Sequence, residues 1–128
     1  MKIGMKGQLE TTVTENITAK SIGSGELQVY ATPMLIALVE ETAWRSVAEE
    51  LPDGQGTVGT RVEISHISAT PVGMKVWCKT ELVEIDRRRL VFSVEVYDEA
   101  GKIAEGTHER FIVENDRFQA KAEIKKGK

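Results

Sequence analysis

Cysteine is almost missing: Cys78 is the single one. That excludes an intramolecular disulfide and a cysteine-based structural zinc site, and it fits a reducing, cytoplasmic home. Histidine is scarce as well, and two residues do not make a metal-ligand set by themselves. No apolar run approaches the roughly 20 residues that a membrane helix needs. The opening stretch Met1 to Lys6 lacks the apolar segment of a secretory signal. Charge of neither sign dominates. A net charge of -3 leaves no global basic field to hold nucleic acid. There is no Walker loop, no GxGxxG, no GxSxG elbow, no repeat and no linker.

What is present reads as one domain over residues 1–128. Apolar residues make up 41% of the chain and charged residues 29%, and a chain of this length buries a core without staples. Leu9 to Asn16 is rich in threonine and predicts a strand. Ser21 to Gly25 predicts a loop. Thr32 suits an N-cap and Pro33 the first helical position, so a helix is expected from Pro33 to about Leu51, stopped by Pro52-Asp53-Gly54. Its first half, Met34 to Val39, is apolar all round, which implies burial on most sides.

Four alternating segments follow. Val58, Thr60, Val62, Ile64 and His66 are expected on one face of a strand spanning Thr57 to Ala69. Met74, Val76, Cys78, Thr80 and Leu82 face one way in the next strand, and Leu90, Phe92, Val94 and Val96 in the third. Ile103 to Val113 forms the fourth, with a bulge expected at Gly106. Period-2 alternation implies one buried face, and the short turns imply antiparallel neighbours. The expected fold is therefore α+β, a curved antiparallel sheet of about five strands around one long helix. Arg87-Arg88-Arg89 reads as a solvated hairpin tip. Lys125 to Lys128 reads as a frayed tail.

Two residues break the apolar pattern. Glu40 follows Val39 in the helix, either at the edge of the apolar face or as a buried acid. His66 shares a face with Val62 and Ile64. A carboxylate and an imidazole facing one core can form an acid/base pair. Thr32 stands at a helix N-terminus, where free N–H groups favour a carbonyl or an anion. His108 is expected beside Arg110 on a structural polar strand, and Cys78 as a small buried hydrophobe.

The stretch Val58-Gly59-Thr60-Arg61-Val62-Glu63-Ile64-Ser65-His66-Ile67-Ser68-Ala69-Thr70-Pro71-Val72-Gly73 resembles the hotdog-fold thioesterases of the fluoroacetyl-CoA thioesterase type, and so does Gly106-Thr107-His108-Glu109-Arg110. The resemblance runs from about Thr32 to Val113. It implies a hotdog fold and a catalytic set of Thr32, Glu40 and His66, spaced by eight and then 26 residues. It implies that the Gly59 backbone contacts the acyl group. It also implies a homodimer, able to associate to a tetramer, with active sites between subunits. The fluoroacetyl-specific enzymes carry a longer lid with gating phenylalanines. Here Ser21 to Ala31 is short and glycine-rich, with Tyr30 its only aromatic, so a small acyl-CoA thioester is the expected substrate. Tyr30, Met34 and Leu35 would shape the acyl pocket.

CoA belongs to the substrate, and no cofactor, metal, nucleic acid or membrane partner is expected. Arg61, Lys75, Lys79 and Arg110, read as outward-facing, are candidate contacts for its nucleotide. Glu40 could activate water or attack the thioester directly. Eight helical residues rise about 12 Å, so Thr32 and Glu40 should meet one carbonyl only from opposite subunits. A hydratase or dehydratase on the same fold, and a non-catalytic acyl-CoA-binding module, are the alternatives. Hydration of an enoyl-CoA without thioester cleavage would select the first. A Glu40 that ligand binding ignores would select the second.

Overall fold

The computed structural model describes residues 1–127. Five strands, β1 (Lys6–Thr12), β2 (Gln55–His66), β3 (Lys75–Asp86), β4 (Arg89–Asp98) and β5 (Gly101–Glu114), form one sheet in the order β1-β3-β4-β5-β2. Every neighbouring pair is antiparallel. The long helix α2 (Thr32–Val47) lies over β1 and β3 more than over β2. A one-turn helix, α1 (Ala19–Ile22), precedes it, and α3 (Asn115–Glu123) follows β5.

The alternation expected of β3 and β4 holds. Val76, Cys78, Leu82, Leu90, Phe92, Val94 and Val96 are buried toward α2, against Leu35, Leu38, Val39, Ala43 and Val47. This shared core carries most of the fold's stability, since a buried side chain of this size contributes about 1.5–3 kcal/mol.

Several expectations need correction. Thr32 is not the N-cap. The Ala31 carbonyl accepts from the Leu35 N–H at 3.0 Å, so Ala31 caps the helix and Thr32 lies in its first turn. The α-helix ends at Val47, and a 3-10 turn covers Ala48–Glu50. β1 begins and ends earlier than its threonines suggest. Ser21 and Ile22 are helical, because Thr18 caps them through its hydroxyl and Gly23 ends the turn in the left-handed region.

The face of β2 also changes. Its register slips between Gly59 and Arg61, so Thr60 is the bulged residue. Beyond the bulge Val62, Ile64 and His66 face the helix, as expected. Before it, Gly59 and Thr57 do so instead, and Val58 is opposed to Phe111 on the outer side. Gly106 is not bulged; it is paired with Ile64 in unbroken register. A side chain there would drive into the Glu63 backbone, which is reason enough for glycine. The β4–β5 irregularity falls at Ile103, between the pairs Val96–Ala104 and Tyr97–Lys102.

Residues 114 to 124 drew no expectation from the sequence. Of these, Asn115–Glu123 form α3, exposed along its length. Ile124–Lys126 form a 3-10 turn, and Lys128, part of the expected tail, lies outside the described residues.

Candidate active site

Two polar clusters stand on the helix-facing side of the sheet, and one chain keeps them apart. The first sits at the N-terminus of α2. Thr32 Oγ1 lies 2.8 Å from His66 Nδ1. The freedom that Thr32 gains by not capping its own helix lets its hydroxyl reach the imidazole at the end of β2. Burial lowers the His66 imidazole below the usual histidine value. Its Nε2 is buried and has no hydrogen-bond partner among the described residues. A cavity of about 280 Å³ opens here, lined by Tyr30, Thr32, His66 and Ile67 among others. Tyr30 is 2% exposed and donates its hydroxyl to the Met34 carbonyl at 3.3 Å, and burial raises its phenol. Its ring is a wall of the pocket set into the core. Leu35 is fully buried behind it.

The second cluster is centred on Glu40, two turns along α2. Arg110 reaches it from β5, with Nη1 3.4 Å from Glu40 Oε2. The Arg110 side chain is 6% exposed and that of Glu40 41%, so the pair is buried on one side and open on the other. Arg110 is held in place by donating from Nε to Thr57 Oγ1 at 2.7 Å and from Nη2 to the Thr57 carbonyl at 3.0 Å. Its Nη1 also lies 3.2 Å from His108 Nε2. Since that nitrogen accepts, the His108 proton sits on Nδ1, which donates to the Arg61 carbonyl at 2.8 Å. Burial lowers the His108 imidazole, and the Arg110 cation adds to this. A neutral histidine wedged against a cation is the state the network requires.

Gly59 belongs to this second cluster. A Cβ at Gly59 would collide with Glu40 Oε2 and come within 3.2 Å of Arg110 Nη1. The missing side chain therefore leaves the carboxylate room to lie flat against the β2 backbone.

Thr32, Glu40, His66, Gly59 and Tyr30 are thus distributed over two separate clusters. Thr32, His66 and Tyr30 share one end, and Glu40 and Gly59 share the other. Glu40 lies about 12 Å along the helix from Thr32. Gly59 is separated from His66 by a stretch of β2 of about 20 Å. The outward placement of Arg110 is overturned. From Ala104 on, β5 turns its even-numbered residues toward the helix, and Arg110 is buried there. His108 and Arg110 are the members of the Glu40 cluster that sequence reasoning undervalued. Their signal was two polar residues at period 2 on the face that also carries Ala104 and Gly106. Cys78 is buried in the core, and burial pushes its thiol up to about 11, as befits an inert small hydrophobe. Among the described residues, no group of three or more His, Cys, Asp or Glu side chains is placed to hold a metal ion. No helix there is long and apolar enough to cross a membrane.

Comparison with known proteins identifies the family and the fold. The family model described as fluoroacetyl-CoA-specific thioesterase, FlK, matches residues 13–116. The fluoroacetyl-CoA thioesterase of Streptantibioticus cattleyicolor is 36% identical over 98 residues, covering 77% of this chain and 70% of that protein. A crystal structure of a variant of the FlK enzyme with acetyl-CoA superimposes with a TM-score of 0.94 at 28% identity, covering 99% of this chain and all of that one. A thioesterase-superfamily protein from Thermus thermophilus gives a TM-score of 0.90 at 26% identity, with 98% and 93% covered.

Proposed function

This chain belongs to the fluoroacetyl-CoA-specific thioesterase family, and on that premise we propose that it hydrolyses a small acyl-CoA thioester at a site shared by two copies of itself. It is a hotdog-fold thioester hydrolase. Family membership carries the reaction. The separation of the two half-sites in one chain supports the sharing.

β2 is an edge strand of 12 residues, with its outer edge unpaired with another strand among the described residues. Val62, on its helix-facing side, is 39% exposed. Antiparallel pairing of two β2 edges about a two-fold axis would cover both features. It would also bring the His66 end of one strand toward the Gly59 end of the other. Thr32 and His66 of one subunit would then face Glu40 and Gly59 of its partner across one acyl group.

Each residue has a chemical role in that arrangement. The Thr32 hydroxyl and the Gly59 backbone contact the thioester carbonyl and stabilise the developing oxyanion. Glu40, aimed by Arg110, delivers oxygen to the acyl carbon, directly or through water. The carbon–sulfur bond breaks, and the departing thiolate takes up the proton that the hydrolytic water gives up, relayed through the His66 imidazole. Burial lowers the His66 imidazole, which favours the neutral form that can accept a proton before passing it on. CoA enters as part of the substrate, with no metal or separate cofactor, and the enzyme works as a cytoplasmic homodimer.

The test is thiol release from short, branched, aromatic and halogenated acyl-CoAs by the wild type and Glu40→Ala. Turnover of one class, lost in the variant, is expected. CoA esters that bind but are not cleaved, with enoyl-CoA hydrated instead, would replace this reading with a hydratase.

A further inference from the structure

Resting on the thioesterase reading above, we propose that His108 is a positioning residue for the hydrolysis. Its bare Nε2 holds the Arg110 guanidinium back from Glu40 and so leaves that carboxylate free to act. His108 is fully buried, with its ring stacked on Phe92 at 6.3 Å between centroids. Arg110, its side chain 6% exposed, lies beside it. A polar ring and a cation in a core cost stability that apolar residues of the same size would spare. Such a pair needs a reason beyond folding.

The hydrogen bonds fix where the imidazole carries its proton. The Arg61 carbonyl can only accept, so Nδ1, 2.8 Å away, is protonated. A guanidinium can only donate, so Nε2, 3.2 Å from Nη1, is bare. Both ring nitrogens are thereby satisfied, and the ring is held at both ends. The carbonyl that holds it follows directly on the bulged Thr60, and bulges re-aim groups beside active sites.

Arg110 is fixed along its other edge by Thr57, through Nε at 2.7 Å and Nη2 at 3.0 Å. Nη1 remains, and its two N–H groups are divided between His108 and Glu40. That division explains a distance. Arg45–Glu41 and Arg89–Glu84 close to 2.8 Å on the surface. Arg110–Glu40 stops at 3.4 Å, although a buried cation attracts a carboxylate more strongly than a solvated one. The loose pair Arg61–Glu63, at 3.5 Å, joins two side chains that are each more than half exposed. Arg110 has no such slack.

The gap has a chemical consequence. A carboxylate gripped by both arms of an arginine has its lone pairs engaged, which weakens it as a base and as a nucleophile. With one edge given to Thr57 and half of Nη1 given to His108, Arg110 steers Glu40 without closing on it. Gly59 supplies the room that Glu40 needs, since a Cβ there would collide with Oε2.

The test removes the acceptor and keeps a ring. His108→Phe still stacks on Phe92 but offers Nη1 nothing, so Arg110 is free to close on Glu40. For thiol release, kcat should fall about ten-fold or more, with KM within about two-fold of wild type. His108→Gln, whose amide oxygen accepts from Nη1, should recover kcat to within about three-fold. Adding His108→Phe to Arg110→Met should cost nothing beyond Arg110→Met alone, because the ring acts through the guanidinium. A ring that only fills the core would lower the melting temperature and leave kcat of the folded enzyme unchanged. Unchanged kcat, a loss carried by KM, or a loss that adds to that of Arg110→Met would overturn the proposal. The tautomer is read without turnover, by nitrogen NMR of histidine-labelled protein, with His66→Ala assigning the two histidines. A neutral Nδ1–H ring is expected for His108 near neutral pH, and an Nε2–H ring or an imidazolium would contradict it. If the wild type hydrolyses no acyl-CoA, the thioesterase reading fails, and the spectrum still decides how His108 meets Arg110.

Discussion

Gly59→Ala should separate activity from stability. The added Cβ would overlap Glu40 Oε2 and press on Arg110 Nη1. Non-bonded atoms settle about 3.5–4.0 Å apart, so the carboxylate must retreat by about 1 Å. It can do so, because its side chain is 41% exposed and open to water. Arg110 keeps both bonds to Thr57 and its contact with His108. The loss to folding is then one half-exposed ion-pair contact, below about 1 kcal/mol. Alanine offsets part of that by narrowing the unfolded ensemble by about 0.4–1 kcal/mol. The melting temperature should barely move. Activity should not survive as well, because a 1 Å misplacement of a reacting group can cost about a hundred-fold. The assay is kcat for thiol release on the best acyl-CoA, together with a thermal melt. Adding Glu40→Ala to Gly59→Ala should cost nothing beyond Glu40→Ala alone, since both act on one group. A Gly59→Ala enzyme with kcat within about three-fold of wild type would refute the reasoning.

Thr32→Val removes the hydroxyl that lies 2.8 Å from His66 Nδ1. It should lower kcat about ten-fold, the equivalent of one hydrogen bond, with the melting temperature unchanged; Thr32→Ser should recover most of the rate. Stability should fall in mild acid, because the lowered His108 refuses a proton that the unfolded chain accepts. Its contribution is complete above the unfolded value of about 6.5 and is lost as pH falls toward the folded one. The melting temperature of wild type relative to His108→Gln should therefore drop between neutral pH and pH 5. A constant difference would count against a buried neutral histidine.

Much of the fold was legible because its cause is local. Turn residues at Pro71-Val72-Gly73 and Asp98 to Gly101 punctuate strands whose alternation survives in β3 and β4. The error on β2 comes from a bulge, which resets the period. Thr60 shifts the face of β2, so Val58 and Thr60 do not share the side of Val62, while Gly59 turns to Glu40. Nothing in the composition of that segment marks Thr60 as the extra residue. Arg110 was misplaced for a different reason. A charge at an alternating position is ordinarily solvated, and only the Thr57, His108 and Glu40 partners assembled by tertiary packing make its burial tolerable. Thr32 and His66 were recognisable as candidates, and their contact over 34 residues follows from where β2 ends against the start of α2. α3 escaped notice because helix-forming residues without an apolar stripe give no periodic signal.

The central claim is that each active site takes Thr32 and His66 from one subunit and Glu40 from the other. Mixing two inactive variants tests it directly. Glu40→Gln and His66→Ala homodimers are each inactive at both sites. After subunit exchange, a heterodimer holds one site with both substitutions and one site with neither. Random assortment of equal amounts should return about a quarter of wild-type activity. If the mixture stays as inactive as its components while exchange is demonstrated, Glu40 and His66 act within one chain and the shared-site account is wrong.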